Sequence, residues 1–193
     1  MKKRILISVF DKTGIEKFAH LGNDFELVST GGTASRLESE GAKVTTVESV
    51  TKFPEILDGR VKTLHPLIFG GILADHGNAE HMKTAAEHGI SLFDAVVVNL
   101  YDFKKYEDIE HIDIGGVALL RAAAKNGASV LPVIYPEDYD EAIALLTSID
   151  PIPTEARNRY AAKTFAYTAA YDAAIAAWML GQIQGSGPIF IES

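Results

Sequence analysis

The sequence predicts an α/β fold: a three-layer sandwich around a mainly parallel sheet, with a long C-terminal helix. Three observations carry this. Short β-rich apolar runs alternate with segments of helical periodicity, and strand–turn–helix–strand order implies parallel strands joined by crossover helices. One run, Ala95-Val-Val-Val-Asn-Leu100, is apolar almost throughout, as a strand buried on both faces must be. The segment from Glu155 to Leu180 has no internal breaker and reads as one helix. One domain is expected over residues 1–181, with a Gly-containing tail over 182–193.

Taken in order, Arg4 to Phe10 is the first strand, and Asp11-Lys-Thr-Gly14 turns into a helix marked by Ile15, Phe18 and Ala19. Phe25 to Ser29 is the second strand, followed by Thr30-Gly-Gly-Thr33 and a helix to about Glu40. Lys43 to Val47 is a short third strand. From Glu48 to Gly71 the residues Pro54, Gly59, Pro66, Gly70 and Gly71 predict a long functional loop broken by short helical turns. Ala79 to His88 is helical, and Phe93 to Leu100 is the central strand. A charged connection runs from Tyr101 to Glu110. The helix from Val117 to Asn126 is closed by Gly127. Ser129 to Ile134 is the last strand, and Pro136 to Ser148 the helix after it.

In the final helix Tyr160, Thr164, Tyr167, Tyr171, Ala174 and Trp178 form one stripe, with Ala161, Phe165, Thr168, Ile175 and Met179 on an adjacent face. So wide an apolar arc fits either a broad core contact or two packing surfaces, the second being another copy of the chain. A homodimer is the expectation.

Composition excludes several classes of function. Apolar residues make up 47% and charged residues 23%, enough for an ordinary core. No cysteine is present, which removes disulfide and thiolate chemistry and fits a reducing, cytoplasmic setting. No run approaches the ~20 apolar residues of a membrane span. A net charge of -8 argues against general nucleic-acid binding, so any anion site must rest on local cations and backbone donors.

Such cations crowd into Asp58-Gly-Arg-Val-Lys-Thr-Leu-His-Pro66. Arg60 and Lys62 fall on one side of an extended chain, a fork and a point charge suited to phosphate. The alternative is a solvated loop. Thr30-Gly-Gly-Thr33 suits phosphate too, since glycine admits close backbone approach and a helix N-terminus follows. The alternative there is a tight turn with Thr33 as N-cap. Asp113 is either a site carboxylate or an N-cap, Lys125 a site base or a complement to its helix C-terminus. Tyr101 is either a site hydroxyl or a partly buried core residue. His65 has no second histidine at metal-ligand spacing, so no metal is expected. Neither a Walker loop nor a dinucleotide fingerprint occurs, so neither ATP nor NAD is expected. Asp11-Lys-Thr, Thr30-Gly-Gly-Thr33, Asn99 with Tyr101, and Asp113-Ile-Gly-Gly all follow predicted strands or precede a helix, where open parallel sheets bind ligands.

Four blocks in this order, Ser29-Thr-Gly-Gly-Thr33, Asp58 to Pro66, Val98-Asn-Leu-Tyr101, and Ile112-Asp-Ile-Gly-Gly116 running into Leu120-Arg-Ala-Ala-Ala-Lys-Asn126, resemble the inosine monophosphate cyclohydrolase domain. That domain is the N-terminal half of the bifunctional purine biosynthesis enzyme, and the resemblance covers about Arg4 to Leu180. It implies a methylglyoxal-synthase-like fold and closure of 5-formamidoimidazole-4-carboxamide ribonucleotide to inosine monophosphate, with loss of water and no cofactor. It also implies nucleotide contacts by Asp11, Lys12, Thr30, Gly31, Gly32, Thr33, Arg60, Lys62, Thr63, Asn99, Leu100, Asp113 and Ile114. Lys125 would be the proton donor and acceptor, helped by Lys62 and Tyr101, with Asp113 the next candidate base. Lys125 follows three alanines, an approach that would favour its neutral form if buried. Against the family pattern, Phe10 replaces a serine, Phe69 a histidine and Asp102 a proline. The formyl transferase half lies outside the resemblance, so a functional link to a separate formyl transferase is expected. Two rival readings are a nucleotide-sensing regulatory module and a triose-phosphate lyase of the methylglyoxal synthase type. The lyase would want a carboxylate beside the phosphate turn, and the sequence offers no convincing one. One spacing is awkward: Asp113 and Lys125 are twelve residues apart, about 18 Å in one helix. A folded-back loop, a helix ending before Lys125, or two subunits would each resolve it.

Overall fold

A computed structural model describes residues 2–182. Five strands, β1 (Lys3–Val9), β2 (Phe25–Ser29), β3 (Val44–Thr46), β4 (Ala95–Asn99) and β5 (Leu131–Val133), form one sheet in the order β3-β2-β1-β4-β5. Every neighbouring pair is parallel, with Ile5 opposite both Leu27 and Ala95. The edges are handled by length and by proline. β3 has three residues, and β5 carries Pro132, which a central strand would not tolerate.

The helices are α1 (Glu16–Ala19), α2 (Gly31–Ser39), α3 (Val47–Thr51), α4 (Pro66–Leu73), α5 (Ala79–Glu87), α6 (Phe103–Tyr106), α7 (Gly115–Lys125), α8 (Tyr139–Thr147) and α9 (Thr154–Gln182). Alternation along β1 and β4 divides the interior. Ile5, Ile7, Ala95 and Val97 face one core with Ile15 and Phe18 of the first helical segment, Leu37 of α2 and Leu146 of α8. Leu6, Val96 and Val98 face the other, with Ile68 and Ile72 of α4 and Leu119, Leu120 and Ala123 of α7. Apolar side chains are needed on both faces, hence the unbroken runs in the sequence.

The long loop expected over 48–71 is narrower. α3 and α4 take its two ends, leaving residues 52–65 irregular. Gly70 and Gly71 are helical. A Cβ on Gly71 would collide with the Ser91 carbonyl oxygen and crowd the Phe93 ring, so this glycine permits close packing rather than a turn.

α9 runs one residue past the expected domain limit, to Gln182; the remaining expected tail, 183–193, lies outside the described residues. Its stripe serves both cores. Tyr160 packs in the first, while Tyr171 is buried in the second with Tyr167, Ala174, Ile175 and Trp178 against it. The helix crosses the β5 edge between them, which accounts for most of its wide apolar arc. Phe165, Met179 and Leu180 stay exposed.

Candidate active site

The strand order reverses between β1 and β4, and a cleft of about 690 Å³ opens there, at the carboxyl ends of β1, β2 and β4. Its lining includes Lys12, Thr30, Gly31, Gly32, Thr33, Arg60, Lys62, Thr63, Asn99, Tyr101, Asp113 and Ile114. Asp11, Leu100 and Lys125 are not among the lining residues.

One end is built for an anion. Thr30 caps α2 with extended backbone, and Gly31 follows with φ +29°, a left-handed value that favours glycine. As first residues of the helix, Gly31 and Gly32 have no preceding turn to accept their N–H groups. The Lys62 ammonium lies 3.6 Å from where a Gly31 Cβ would sit, and the Lys12 ammonium 3.9 Å from that of Gly32. Two cations thus flank a helix N-terminus. Thr30 takes the N-cap position, not Thr33, and makes no side-chain capping bond; its hydroxyl pairs with that of Ser8 at 2.9 Å. The Thr33 hydroxyl instead accepts from the Val9 N–H at 3.2 Å and donates to the Val9 carbonyl at 3.1 Å, tying α2 to β1.

Asn99, which lines the cleft, and Asp11, which does not, fix the turn after β1. The Asn99 carboxamide oxygen accepts from the N–H groups of Phe10 (2.7 Å) and Asp11 (2.9 Å), and its amide donates to the Asp11 carbonyl (2.8 Å). The Asp11 carboxylate accepts from the Thr13 hydroxyl and N–H, which hold its pKa below the ordinary value. Both side chains are engaged in fixing the β1 turn.

At the other end Asp113 accepts from the Gly116 N–H at 2.7 Å, capping α7. Burial pushes its pKa up, and the backbone N–H groups of Gly116 and Tyr101 pull it partly back. A Cβ on Gly116 would stand 2.6 Å from the Asp113 carboxylate and 2.7 Å from Leu100, so glycine is required for this approach. Tyr101 is exposed on the rim, edge-on to Phe10 at 5.1 Å and to His111 at 6.0 Å, while Tyr106 stacks on His111 at 4.0 Å. The serine-to-phenylalanine departure at Phe10 therefore adds an aromatic contact to Tyr101. Phe69 packs against the second core, and Asp102 is exposed at the start of α6; neither lines the cleft. His65 caps α4 by accepting from the Leu67 N–H at 3.2 Å.

Sequence reasoning missed two sets of residues. Tyr167 and Tyr171 look like core stripe and do not line the cleft, yet their hydroxyls hold backbone groups behind it. Tyr167 accepts from the Leu100 N–H at 3.3 Å; Tyr171 accepts from the Asp113 N–H at 2.8 Å and donates to the His111 carbonyl at 3.0 Å. The second set is carboxylate. Glu55 pairs with Lys62 and Glu110 with Arg60. A carboxylate therefore does stand beside the Thr30-Gly-Gly-Thr33 turn, where the sequence offers no convincing one.

Lys125 is the last residue of an unbroken α7 and is exposed. The helix neither folds back nor stops short of it, so within one chain Asp113 and Lys125 stand at opposite ends. Among the described residues no group of three His, Asp or Glu stands close enough to hold a metal ion, and no helix is long and apolar enough to cross a membrane.

This sheet, with its site at the β1/β4 switch point, defines a class, and the chain belongs to it: the MGS-like domain family, whose model matches residues 14–130. Residues 123–190 match a second model, the AICARFT/IMPCHase bienzyme. Within the class the chain is similar to the bifunctional purine biosynthesis proteins PurH. The Enterococcus faecalis protein is 48% identical over 97% of the chain, and the Listeria welshimeri protein 51% identical over 92%. The chain spans only 39% and 37% of the length of these relatives. The crystal structure of ForH superposes with a TM-score of 0.82 at 34% identity, covering 92% of this chain and 98% of that one.

Proposed function

We propose that this chain is an inosine monophosphate cyclohydrolase, closing 5-formamidoimidazole-4-carboxamide ribonucleotide to inosine monophosphate. One observation carries the reading: a single cleft unites a cation-flanked helix N-terminus with Lys62, Tyr101 and Asp113. Similarity to PurH across nearly the whole chain supports it.

In this reading the 5′-phosphate docks on the amides of Gly31 and Gly32 between Lys12 and Lys62, and the base reaches toward Tyr101 and Asp113. The carboxamide nitrogen attacks the formyl carbon, forming the new C–N bond. The formyl oxygen then departs as water, taking two nitrogen-bound hydrogens. The step is intramolecular, so holding one rotamer supplies much of the acceleration. Lys62 offers positive charge, and Tyr101 and Asp113 can exchange protons near the base. Burial suits Asp113 to this, because a raised carboxyl exchanges protons nearer neutrality.

Lys125 enters this scheme only from a second copy, so the active form proposed is a homodimer whose partner chain brings Lys125 to the cleft. The exposed Phe165, Met179 and Leu180 give α9 apolar surface for such a contact. A formyl transfer activity, on this polypeptide or another, would supply the substrate. The experiment is incubation with the formamido ribonucleotide while following ultraviolet absorbance. Purine formation supports cyclisation; binding of inosine monophosphate without turnover would favour the regulatory module. One observation favours the lyase reading as well, the position of Glu55 beside the phosphate turn. Dihydroxyacetone phosphate, assayed for methylglyoxal, separates the two enzymes.

A further inference from the structure

The cleft that reads as an anion site is not positively charged. Its lining carries three cations, Lys12, Arg60 and Lys62, and four carboxylates, Glu55, Asp58, Glu110 and Asp113. The ammonium closest to the helix N-terminus is already occupied: Lys62 is paired with Glu55, with side chains only 22% and 39% exposed. Partial shielding makes this pair stronger than the Arg60–Glu110 pair, whose side chains are 63% and 68% exposed. The local backbone leaves space for Glu55. Its carboxylate lies 2.7 Å from where a Cβ on Gly59 would be, so the bare, left-handed Gly59 leaves it room.

We propose that Glu55 is a specificity-determining counter-ion: it pairs with Lys62 at the cleft wall and must be displaced by the ligand, so that the cleft accepts dianionic phosphate monoesters and discriminates against ligands bearing a single negative charge. The inference rests on the nucleotide reading above. A ligand with one charge replaces one carboxylate at Lys62 by another anion of equal charge, and the Coulomb gain largely cancels. A phosphate monoester brings a second charge and more acceptor oxygens, enough to hold Lys62 and still receive the Gly31 and Gly32 N–H groups. Glu55 therefore acts through Lys62 rather than on reacting atoms. It also supplies the anion that re-forms the pair when product leaves.

The test is calorimetric titration of the full chain with two ligands, inosine monophosphate and its 5′-phosphate monomethyl ester, which carries one charge fewer. The parent should prefer the dianion. Glu55→Gln removes the competitor but keeps the shape; it should tighten the monoanionic ester more than the nucleotide, shrinking the preference by up to about fivefold, the range an ion pair of this exposure commands. Asp58→Asn removes one cleft charge that has no cation partner among the described ion pairs, and should leave the preference near the parent's. An unchanged preference in Glu55→Gln, or an equal loss in Asp58→Asn, overturns the displacement role and leaves the nucleotide reading standing. If the parent does not bind inosine monophosphate, the nucleotide reading fails and this inference with it.

Discussion

The two walls of the cleft are built differently. One consists of the turns leaving β1, β2 and β4. These follow buried strands directly, and their polar groups bond to one another: Ser8 to Thr30 at 2.9 Å, Thr33 to Val9, Asn99 to Phe10 and Asp11. The other consists of residues 52–65 and the connection before α7. Here Lys52, Leu57 and Asp58 take positive φ, one isolated bridge joins Ile56 to Val61, and the charges pair across solvent-exposed gaps. Backbone of this kind is costly for residues with a Cβ and persists only where something offsets it. The strand-end wall supplies fixed donors, whereas the loop wall supplies charge that can be re-paired. A ligand that needs both must bridge them.

The largest expected effect concerns which chain completes the loop wall. Lys62→Ala and Lys125→Ala should each lower turnover roughly 10²–10⁴-fold, the usual loss for a positioned acid–base or charge-bearing group. Mixing the two variants should restore part of the activity, because a mixed dimer contains one site with both lysines intact. Single-turnover rates on the mixture, beside light scattering, check this. No recovery in a mixture that exchanges subunits removes Lys125 from the reaction, leaving it a cation at the end of α7 with Asp113 the first candidate base.

Next comes the strand-end wall itself. Gly31→Val should weaken inosine monophosphate binding about tenfold to a hundredfold, equivalent to the ~1.5–3 kcal/mol of a charge-assisted hydrogen bond. A branched residue cannot easily take φ +29°, and its side chain would stand beside the Lys62 ammonium. Titration with the fold verified by circular dichroism decides it. Unchanged affinity would mean the phosphate sits elsewhere, and the contrast between the walls would lose its fixed side.

The same contrast explains what could be read from sequence. The strands were legible because both cores demand apolar side chains, and the strand-end motifs because short turns leave glycine, threonine and asparagine little choice. The loop wall was half legible. Arg60 and Lys62 were legible as a cation pair and both line the cleft, but Glu55 and Glu110 lie outside the motif, and nothing in the pattern joins Glu110 to a residue fifty positions earlier. Thr33, the alternative cap of α2, lies inside the first turn and bonds β1 instead, a role that only the strand-to-helix geometry reveals. Tyr167 and Tyr171 were legible as core and not as site, since periodicity reports which face a ring occupies and is silent on where its hydroxyl ends. The twelve-residue spacing of Asp113 and Lys125 did announce their separation, and α7 keeps them apart.

Tyr171 permits a mid-sized test of how far the fixed region extends. Its hydroxyl joins the Asp113 N–H to the His111 carbonyl, so α9 clamps the start of α7 to the rim. Tyr171→Phe leaves both backbone groups without this partner in a half-buried place and should cost about 1–3 kcal/mol of stability. Denaturant unfolding measures it. If Asp113 depends on the clamp, turnover should fall while binding of phosphate-bearing ligands holds, because the clamp touches only the base end. Equal loss at both ends would show one rigid unit instead of two.

The smallest effect is a pH dependence whose sign is the useful part. Burial raises the Asp113 pKa, despite the opposing N–H groups of Gly116 and Tyr101. The folded chain therefore keeps this proton after the unfolded chain has released its own near the ordinary value of 3.8. Below that value Asp113 is protonated in both states and contributes nothing. As pH rises through the window up to the raised folded value, the native state binds more protons than the unfolded one, and stability falls. Above the window the penalty is complete and constant. Asp113→Asn retains a carbonyl oxygen to cap Gly116 but cannot titrate. The stability difference between variant and parent should thus shift in favour of the variant as pH rises through the carboxylate range and then level off. Urea unfolding at a series of pH values reads the shift directly. A difference moving toward the parent would mean that the two N–H groups outweigh burial. Asp113 would then be a stabilised carboxylate cap, poorly suited to exchanging protons with a base above it.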